Sequence, residues 1–401
     1  MAGESPSQTS SPRDVFVAFL KLGLTSFGGP VAHLGYFREE FVTRRKWLDE
    51  RSFGDMVALS QFLPGPASSQ VGIAVGAARA GLAGALAAWL GFTLPSALAL
   101  VLFALGVSRL AGGVEAGWLD GLKVVAVAVV ARAVWGMART LCPDRPRATL
   151  AILAAIAVLA WPGPPGQITA IAIGGIVGWA FLGAEAEAAP SSLHLGLGRG
   201  TAIAFLAVFF ALLLALPVAA QITGGLPLKL IDSFYRSGAL VFGGGHVILP
   251  LLQAEVVPPG WVDKDTFIAG YGAAQAVPGP LLTFSAYLGA MIDPRFGGWP
   301  AAGLCLAAAF LPSFLLVLGV LPFWEALRRR AAAQSAMRGV NAAVVGLLLA
   351  ALYDPVWTSA IGGPADVALA VVAFGLLALW KLPPWLVVGL CGGAGALMAK
   401  I

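Results

Sequence analysis

The chain has 401 residues, 59% hydrophobic and 11% charged, a formal net charge of +5 and a mean hydropathy of +0.86. Soluble domains carry about a quarter charged residues, so a water-soluble globule, a cytosolic enzyme and a nucleic-acid binder are all excluded, and the surplus apolar mass must face lipid. At roughly 20 residues per span the chain reads as an all-α, polytopic membrane protein, although its 51 glycines and 27 prolines are many breakers for a helical chain.

Residues 1–14 are polar and lack the basic start, apolar middle and cleavage site of a signal peptide, so a disordered cytoplasmic tail is expected there. Two apolar segments follow, 15–37 and 53–78, each interrupted in its middle: by Gly28-Gly29-Pro30 in the first and by Pro64-Gly65-Pro66 in the second. Four plain spans are predicted near 81–106, 117–138, 148–161 and 168–182. The polar stretch 184–199, with Glu185, Glu187, Pro190, Ser191 and Ser192, reads as a linker. An apolar run over 201–219 then forms an additional span.

The rest of the chain copies the first part in order. Phe27-Gly28-Gly29 returns as Phe242-Gly243-Gly244, Trp47-Leu48-Asp49 as Trp261-Val262-Asp263, and Gln61, Pro64, Gly65 and Pro66 as Gln275, Pro278, Gly279 and Pro280. Leu94-Pro95-Ser96 matches Leu311-Pro312-Ser313, and Gly121 matches Gly339. The expected organisation is a first repeat over 15–183, a linker with an extra helix over 184–222, and a second repeat over 223–401. One extra span between halves of even parity turns the second half upside down. Many secondary transporters are inverted repeats of this kind, with substrate held near the membrane midplane.

The broken segments can cross the membrane or turn back as re-entrant hairpins. Five basic residues, Lys21, Lys123, Arg132, Arg236 and Arg338, lie within apolar segments, which leaves 20 in loops. If every broken segment crosses, giving thirteen spans, these divide eleven to nine. If all four are hairpins, giving nine full spans, they divide fifteen to five, because Arg38, Arg44, Arg45, Lys46 and Arg51 join Arg139, Arg145, Arg147 and Arg328 to Arg330 on one side. The positive-inside rule therefore favours hairpins, with the N-terminus cytoplasmic and the C-terminus outside.

Breaks at membrane depth are tolerated where protein or a water-filled cavity surrounds them. A proline suits the first helical position, so Pro30, Pro66 and Pro280 predict half-helix starts, whose unpaired N–H groups attract anions. Candidate substrate-binding residues are Phe27, Gly28, Gly29, Pro64 and Gly65 with their counterparts Phe242, Gly243, Gly244, Pro278 and Gly279. Lys21 and Arg236, at matching positions before the FGG runs, are candidates for attracting an anion; intramembrane cations are functional by default, with snorkelling to the interface as the alternative. For Lys123, Arg132 and Arg338, which match non-basic residues, snorkelling or a structural ion pair is the reading. Gln61 and Gln275 either bind substrate or satisfy freed carbonyls, and Ser69 and Thr283 either donate to an oxyanion or bond back to their helices. Glu40 with Glu255, Asp49 with Asp263, and His246 are weighed for proton coupling, the acids against a solvated face; His246 and His33 are weighed against roles as core histidines. Cys142, Cys305 and Cys391 are scattered, as are the three histidines including His194, so neither a disulfide framework nor a zinc site is indicated. No cofactor is expected.

With FGGPVAHLGYF, KWLDERSF, SQFLPGP and GFTLPS in the first half, and FGGGHVILPLL, WVDKDTFIAGYGAAQAVPGP and FLPS in the second, the sequence resembles the chromate ion transporter family in its long, two-domain form. The resemblance implies a cell-membrane protein that exports chromate and confers chromate resistance, with sulfate as a related anion. It also implies a transporter rather than an enzyme, and thirteen spans in the usual family drawing. A homodimer is a further expectation. The rival readings are a sulfate or other oxyanion transporter, an anion channel and a membrane-embedded enzyme; the last lacks the clustered His, Cys or acidic residues it would need.

Overall fold

The computed structural model describes residues 10–110, 117–183, 198–292 and 297–399. Residues 1–9 of the expected tail and 184–197 of the expected linker, His194 included, lie outside the described residues. Those described are all-α. The helices are α1 (Pro12–Thr25), α2 (Gly29–Arg38), α3 (Glu50–Phe62), α4 (Ala67–Leu110), α5 (Gly117–Leu141), α6 (Arg145–Ala160), α7 (Pro164–Phe181), α8 (Arg199–Thr223) and α9 (Leu226–Ala239). They continue with α10 (Ile248–Val256), α11 (Lys264–Ala274), α12 (Phe284–Met291), α13 (Trp299–Val320), α14 (Trp324–Arg328), α15 (Ala331–Ala351), the single turn α16 (Thr358–Ala360), α17 (Pro364–Ala378) and α18 (Pro384–Met398). Among the described residues, five stretches are long and apolar enough to cross a membrane: Ala67–Val107, Gly117–Leu141, Arg199–Thr223, Trp299–Arg328 and Ala331–Ala360.

Each breaker cluster ends one helix and begins another. Gly28 and Gly29 take φ values of +101° and +80°, open to glycine and strained for residues with a Cβ, and α2 starts there with Pro30 in its first turn. In the second half Gly243 and Gly244 turn the chain at +73° and +145°. There Gly245 stands in place of Pro30, and the chain re-enters helix through a 3₁₀ turn, Gly245–Val247. Gly65 and Gly279 break the other two segments at +133° and +89°.

All four broken segments fold back as helical hairpins. A helix crossing from Phe19 to Phe41 would separate them by about 30 Å, yet their ring centroids are 4.8 Å apart, and Lys21 reaches Glu40 at 3.9 Å. The counterpart pair across the second FGG turn, Arg236 and Glu255, meets at 2.9 Å. Around the PGP turns, Tyr287 donates to the Thr266 carbonyl at 3.1 Å, and Arg79 at the end of the first arm of α4 stacks on Trp47, just before α3, 5.3 Å from the ring centroid. α4 then reverses at Ala80 and Gly81, whose backbone is not helical, so its second arm is a separate span. This reversal brings Gly76 against Gly84 so closely that a Cβ on Gly76 would lie 2.3 Å from the Gly84 carbonyl oxygen.

The helices pair across the repeat as α1 with α9, α2 with α10, α3 with α11, α4 with α12 and α13, α5 with α15, α6 with α17, and α7 with α18; α8 has no counterpart. Thr140 and Leu141 at the C-terminal end of α5 line the same cavity as Gln334, Met337 and Arg338 in the N-terminal half of α15, and the two helices pack on each other, so these matched helices run antiparallel. A two-fold relating antiparallel helices lies perpendicular to them, which for crossing helices is the membrane plane: the repeats are inverted. They are also interleaved. α7 packs on α15 through Gly174, Gly178 and Gly339, and α18 packs on α5 through Gly395, Gly117 and Gly121, close small-residue seams of the kind that drive helix association in lipid. A further tie between the halves is the buried pair Arg328 and Asp55, 2.8 Å apart.

The last two helices of each half are short, and the spans expected near 148–161 and 168–182 are found as α6 and α7 at close to those bounds. α6, α7, α17 and α18 have 16, 18, 15 and 15 residues, about 22–27 Å of helix against a hydrocarbon core of about 30 Å. Proline-glycine turns cut them off, and their small-residue faces are spent on α15 and α5. Because they come in pairs, the even parity of each half is unchanged.

Fold-back of the first two segments returns the chain to its starting side. In a cysteine-free background, single cysteines at Lys46 and Arg145 should therefore react with an impermeant maleimide from the same face of oriented vesicles; labelling from opposite faces would contradict the hairpins.

Candidate substrate site

The four hairpin tips meet, and each is held by the opposite half. The Gly65 amide donates to the Val241 carbonyl at 2.6 Å, and the Gly279 amide donates to the Ser26 carbonyl at 2.9 Å. Val241 and Ser26 each directly precede the phenylalanine of an FGG run, so the two bonds are the same bond made twice. The LPS motifs follow the same rule. Ser96 donates to the Pro278 carbonyl, and a Cβ on Gly279 would sit 2.4 Å from the Ser96 hydroxyl; a Cβ on Gly65 would sit 2.7 Å from that of Ser313. Close approach is what these two glycines supply. Gln70 satisfies the freed Pro64 carbonyl at 2.6 Å.

Two cavities flank the tips, sharing Pro30, Val31, Gly243 and Gly244 as a common wall. The larger, about 610 Å³, is lined by Gln61, Leu63 and Gly65 of the first PGP turn and by Thr140, Arg338 and Asn341. The smaller, about 300 Å³, is lined by Gln275, Val277 and Gly279 of the second PGP turn, by Gly28 and Gly29, and by Arg132 and His246. Each cavity thus joins the PGP turn of one half to the FGG turn of the other. A Cβ on Gly29 or Gly244 would meet nothing within 4 Å, so their backbones face open space. No carboxylate lines either cavity among the described residues.

Of the residues selected from sequence, Gly28, Gly29, Gln61, Gly65, Gly243, Gly244, His246, Gln275 and Gly279 come together here. Phe27 packs on Trp385, with centroids 6.4 Å apart, and Phe242 packs against the core. Pro64 and Pro278 form the turns without lining the cavities. Thr283 bonds back to the Pro280 carbonyl at 2.8 Å, and Ser69 is buried away from both cavities. His246 has its Nδ1 2.8 Å from the Tyr271 hydroxyl, while His33 is a core residue with Nδ1 3.2 Å from the Ser68 hydroxyl. Asp49 and Asp263 cap α3 and α11, each accepting a backbone N–H at 2.8 Å; the bond from the Ser52 amide holds the Asp49 carboxyl below its usual range.

Lys21 and Arg236 stand outside both cavities. The hairpins put a glutamate opposite each: Lys21 faces Glu40, which also holds Arg44 at 2.9 Å and Arg45 at 2.6 Å, and Arg236 faces Glu255 and Asp232 at 2.9 and 3.1 Å. The repeated cation and the repeated acid are two ends of one repeated ion pair. Sequence spacing alone does not reveal that, because the contact requires the fold-back. Lys123 is paired likewise, with Asp120 and Asp265 at 2.7 and 3.2 Å. Arg132 and Arg338, read from sequence as snorkelling or structural, are the basic residues that line the cavities.

The profile of the family described as "Chromate transporter" matches residues 13–179 and 228–396. The chain belongs to the chromate transporter family. Family membership makes it a membrane transport protein and not an enzyme. The chromate transport protein of Pseudomonas aeruginosa is 29% identical over 385 residues, covering 94% of this chain and 89% of that protein. An uncharacterized transporter of Methanocaldococcus jannaschii is 27% identical over 352 residues, 85% and 83% of the two chains. The chromate transport protein of Cupriavidus metallidurans is 26% identical over 387 residues, 93% and 89%. No solved structure matches this chain.

The ion pairs give a stability test within this transporter. Glu255 has a side chain only 8% exposed, so removing one partner of its pair strands a buried charge at a cost approaching roughly 3–5 kcal/mol. Arg236→Ala should lower the thermal unfolding midpoint of the purified protein sharply, and Arg236→Met with Glu255→Leu and Asp232→Asn, which removes both partner charges, should recover most of the loss. Lys21→Ala should cost little, since Glu40 keeps two arginines. Equal, small effects of Arg236→Ala and Lys21→Ala would contradict this.

Proposed function

We propose that the protein exports chromate, a tetrahedral dianion, from the cytoplasm and so confers chromate resistance. The observation that carries the reading is the meeting of four broken-helix tips around two cavities free of lining carboxylates, in a chain of the chromate transporter family. Backbone donors at helix starts and glycines that admit close approach suit an oxyanion. The residues proposed to contact it are Gly28, Gly29, Gln61, Gly65, Gly243, Gly244, Gln275 and Gly279.

Orientation follows from charge. With the hairpins returning the chain, the basic residues concentrate on the side of the N-terminus, which is cytoplasmic by the positive-inside rule, and nine full spans leave the C-terminus outside. The larger cavity borders Thr140, Trp324 and Arg338, next to the basic Arg328–Arg330 loop, so it opens toward the cytoplasm in this reading. Unequal cavities in an inverted repeat fit alternating access, each half exchanging the conformation of the other. Energetics favour efflux: moving one charge through 100 mV is worth about 2.3 kcal/mol, so a dianion leaving a negative-inside cell at that potential gains about 4.6 kcal/mol without a coupled ion. Sulfate shares the charge and shape, and backbone donors discriminate weakly between them, so sulfate is expected to compete.

Inverted membrane vesicles containing the protein should accumulate labelled chromate when their lumen is positive, with sulfate as a competitor. Accumulation confined to right-side-out vesicles under an imposed proton gradient would overturn export in favour of uptake.

A further inference from the structure

Five basic side chains lie within apolar segments, and the fold divides them. Lys21, Lys123 and Arg236 are each neutralised by one or two carboxylates within 4 Å. Arg132 and Arg338 make no ion pair among the described residues; Arg338 donates to the Gly183 carbonyl at 2.5 Å. These same two line the cavities, one in each. Both residues are exposed, and no carboxylate lines either cavity to compete with an anion for them.

We propose that the transport path holds two oxyanion stations in series, one per cavity, anchored by Arg338 in the larger and Arg132 in the smaller. This rests on the reading that the substrate is an oxyanion. A guanidinium presents paired donors that match two oxygens of a tetrahedral anion, and each arginine has a glutamine of a PGP turn in the same cavity: Gln61 with Arg338, Gln275 with Arg132. Pro30, Val31, Gly243 and Gly244 separate the two, so the FGG tips form the partition that an anion passes between stations. The arginines do not occupy matching positions. At the offset set by Gly121 and Gly339, Arg338 corresponds to Asp120 and Arg132 to Ala350. The backbone around the stations is therefore nearly symmetric while their charged anchors differ, which lets the two bind with unequal affinity.

The test is equilibrium binding of ⁵¹Cr-labelled chromate to the purified full-length protein in lipid nanodiscs. Wild type should bind two anions per chain. Arg132→Gln and Arg338→Gln should each weaken one class of site by about tenfold or more while leaving the other within about threefold, and Arg→Lys at either position should keep two sites with one of them weaker. The lysine variants, with their thermal unfolding midpoints measured in parallel, serve if a glutamine variant does not fold. A single site per chain in wild type, or two sites unchanged in all four variants, would overturn the two stations and leave the transporter reading standing. Absence of any chromate or sulfate binding by folded wild type would instead remove the oxyanion reading itself.

Discussion

A helix that breaks within the bilayer leaves amides and carbonyls that water cannot reach, and in this fold each half satisfies the breaks of the other. The Gly65 amide takes the carbonyl before the second FGG turn, and the Gly279 amide takes the carbonyl before the first. From this reciprocal pair much else follows. The PGP glycines must lack a Cβ because Ser96 and Ser313 stand against them. The FGG tips must meet at the centre. The tips tie the halves together at the centre, and the seams of α7 on α15 and of α18 on α5 tie them again at the periphery. An unsatisfied group in hydrocarbon costs several kcal/mol, so the junction is a structural necessity before it is a binding place, and the cavities lie where the tips cannot pack further.

Charge is arranged with the same economy. The hairpins carry their own counter-ions, so that Lys21 with Glu40 and Arg236 with Glu255 repeat one clamp in both halves. Asp49 and Asp263 repeat one helix cap. Most repeated polar residues thus serve the scaffold. Arg132 and Arg338, which make no ion pair among the described residues, break the repeat, and both border the cavities. Symmetry marks the architecture here, and departure from symmetry marks the proposed chemistry.

Much of the fold was legible in the sequence because the breakers are paired. The FGG and PGP runs, read at a nearly constant offset, predicted the duplication and the half-helix starts, and the loop charges favoured the hairpins that the contact of Phe19 with Phe41 reveals. The bounds of α6 and α7 were legible to within four residues, whereas the glycine seams that bed α7 on α15 and α18 on α5 were not, since apolar composition does not tell a lipid-facing face from one packed on another helix. The cavities gather the glycines and glutamines selected from sequence and leave out Lys21 and Arg236. Repetition drew attention to Lys21 and Arg236, but a residue repeated with its counter-ion is conspicuous for the same reason as one repeated for substrate. Only the fold-back, which brings residues about 20 apart in sequence face to face, distinguishes the two. Arg132 and Arg338 match non-basic residues in the repeat, so repetition drew no attention to them, and their place beside the cavities required the fold.

The central claim is that the anion is held where the four hairpin tips meet. Anomalous scattering at the chromium edge from crystals of the protein soaked in chromate tests it directly. The account predicts density in the cavities beside Gly28, Gly29, Gly243 and Gly244, within reach of Arg132 or Arg338. Chromium bound instead beside Lys21 and Arg236, with both cavities empty, would contradict it.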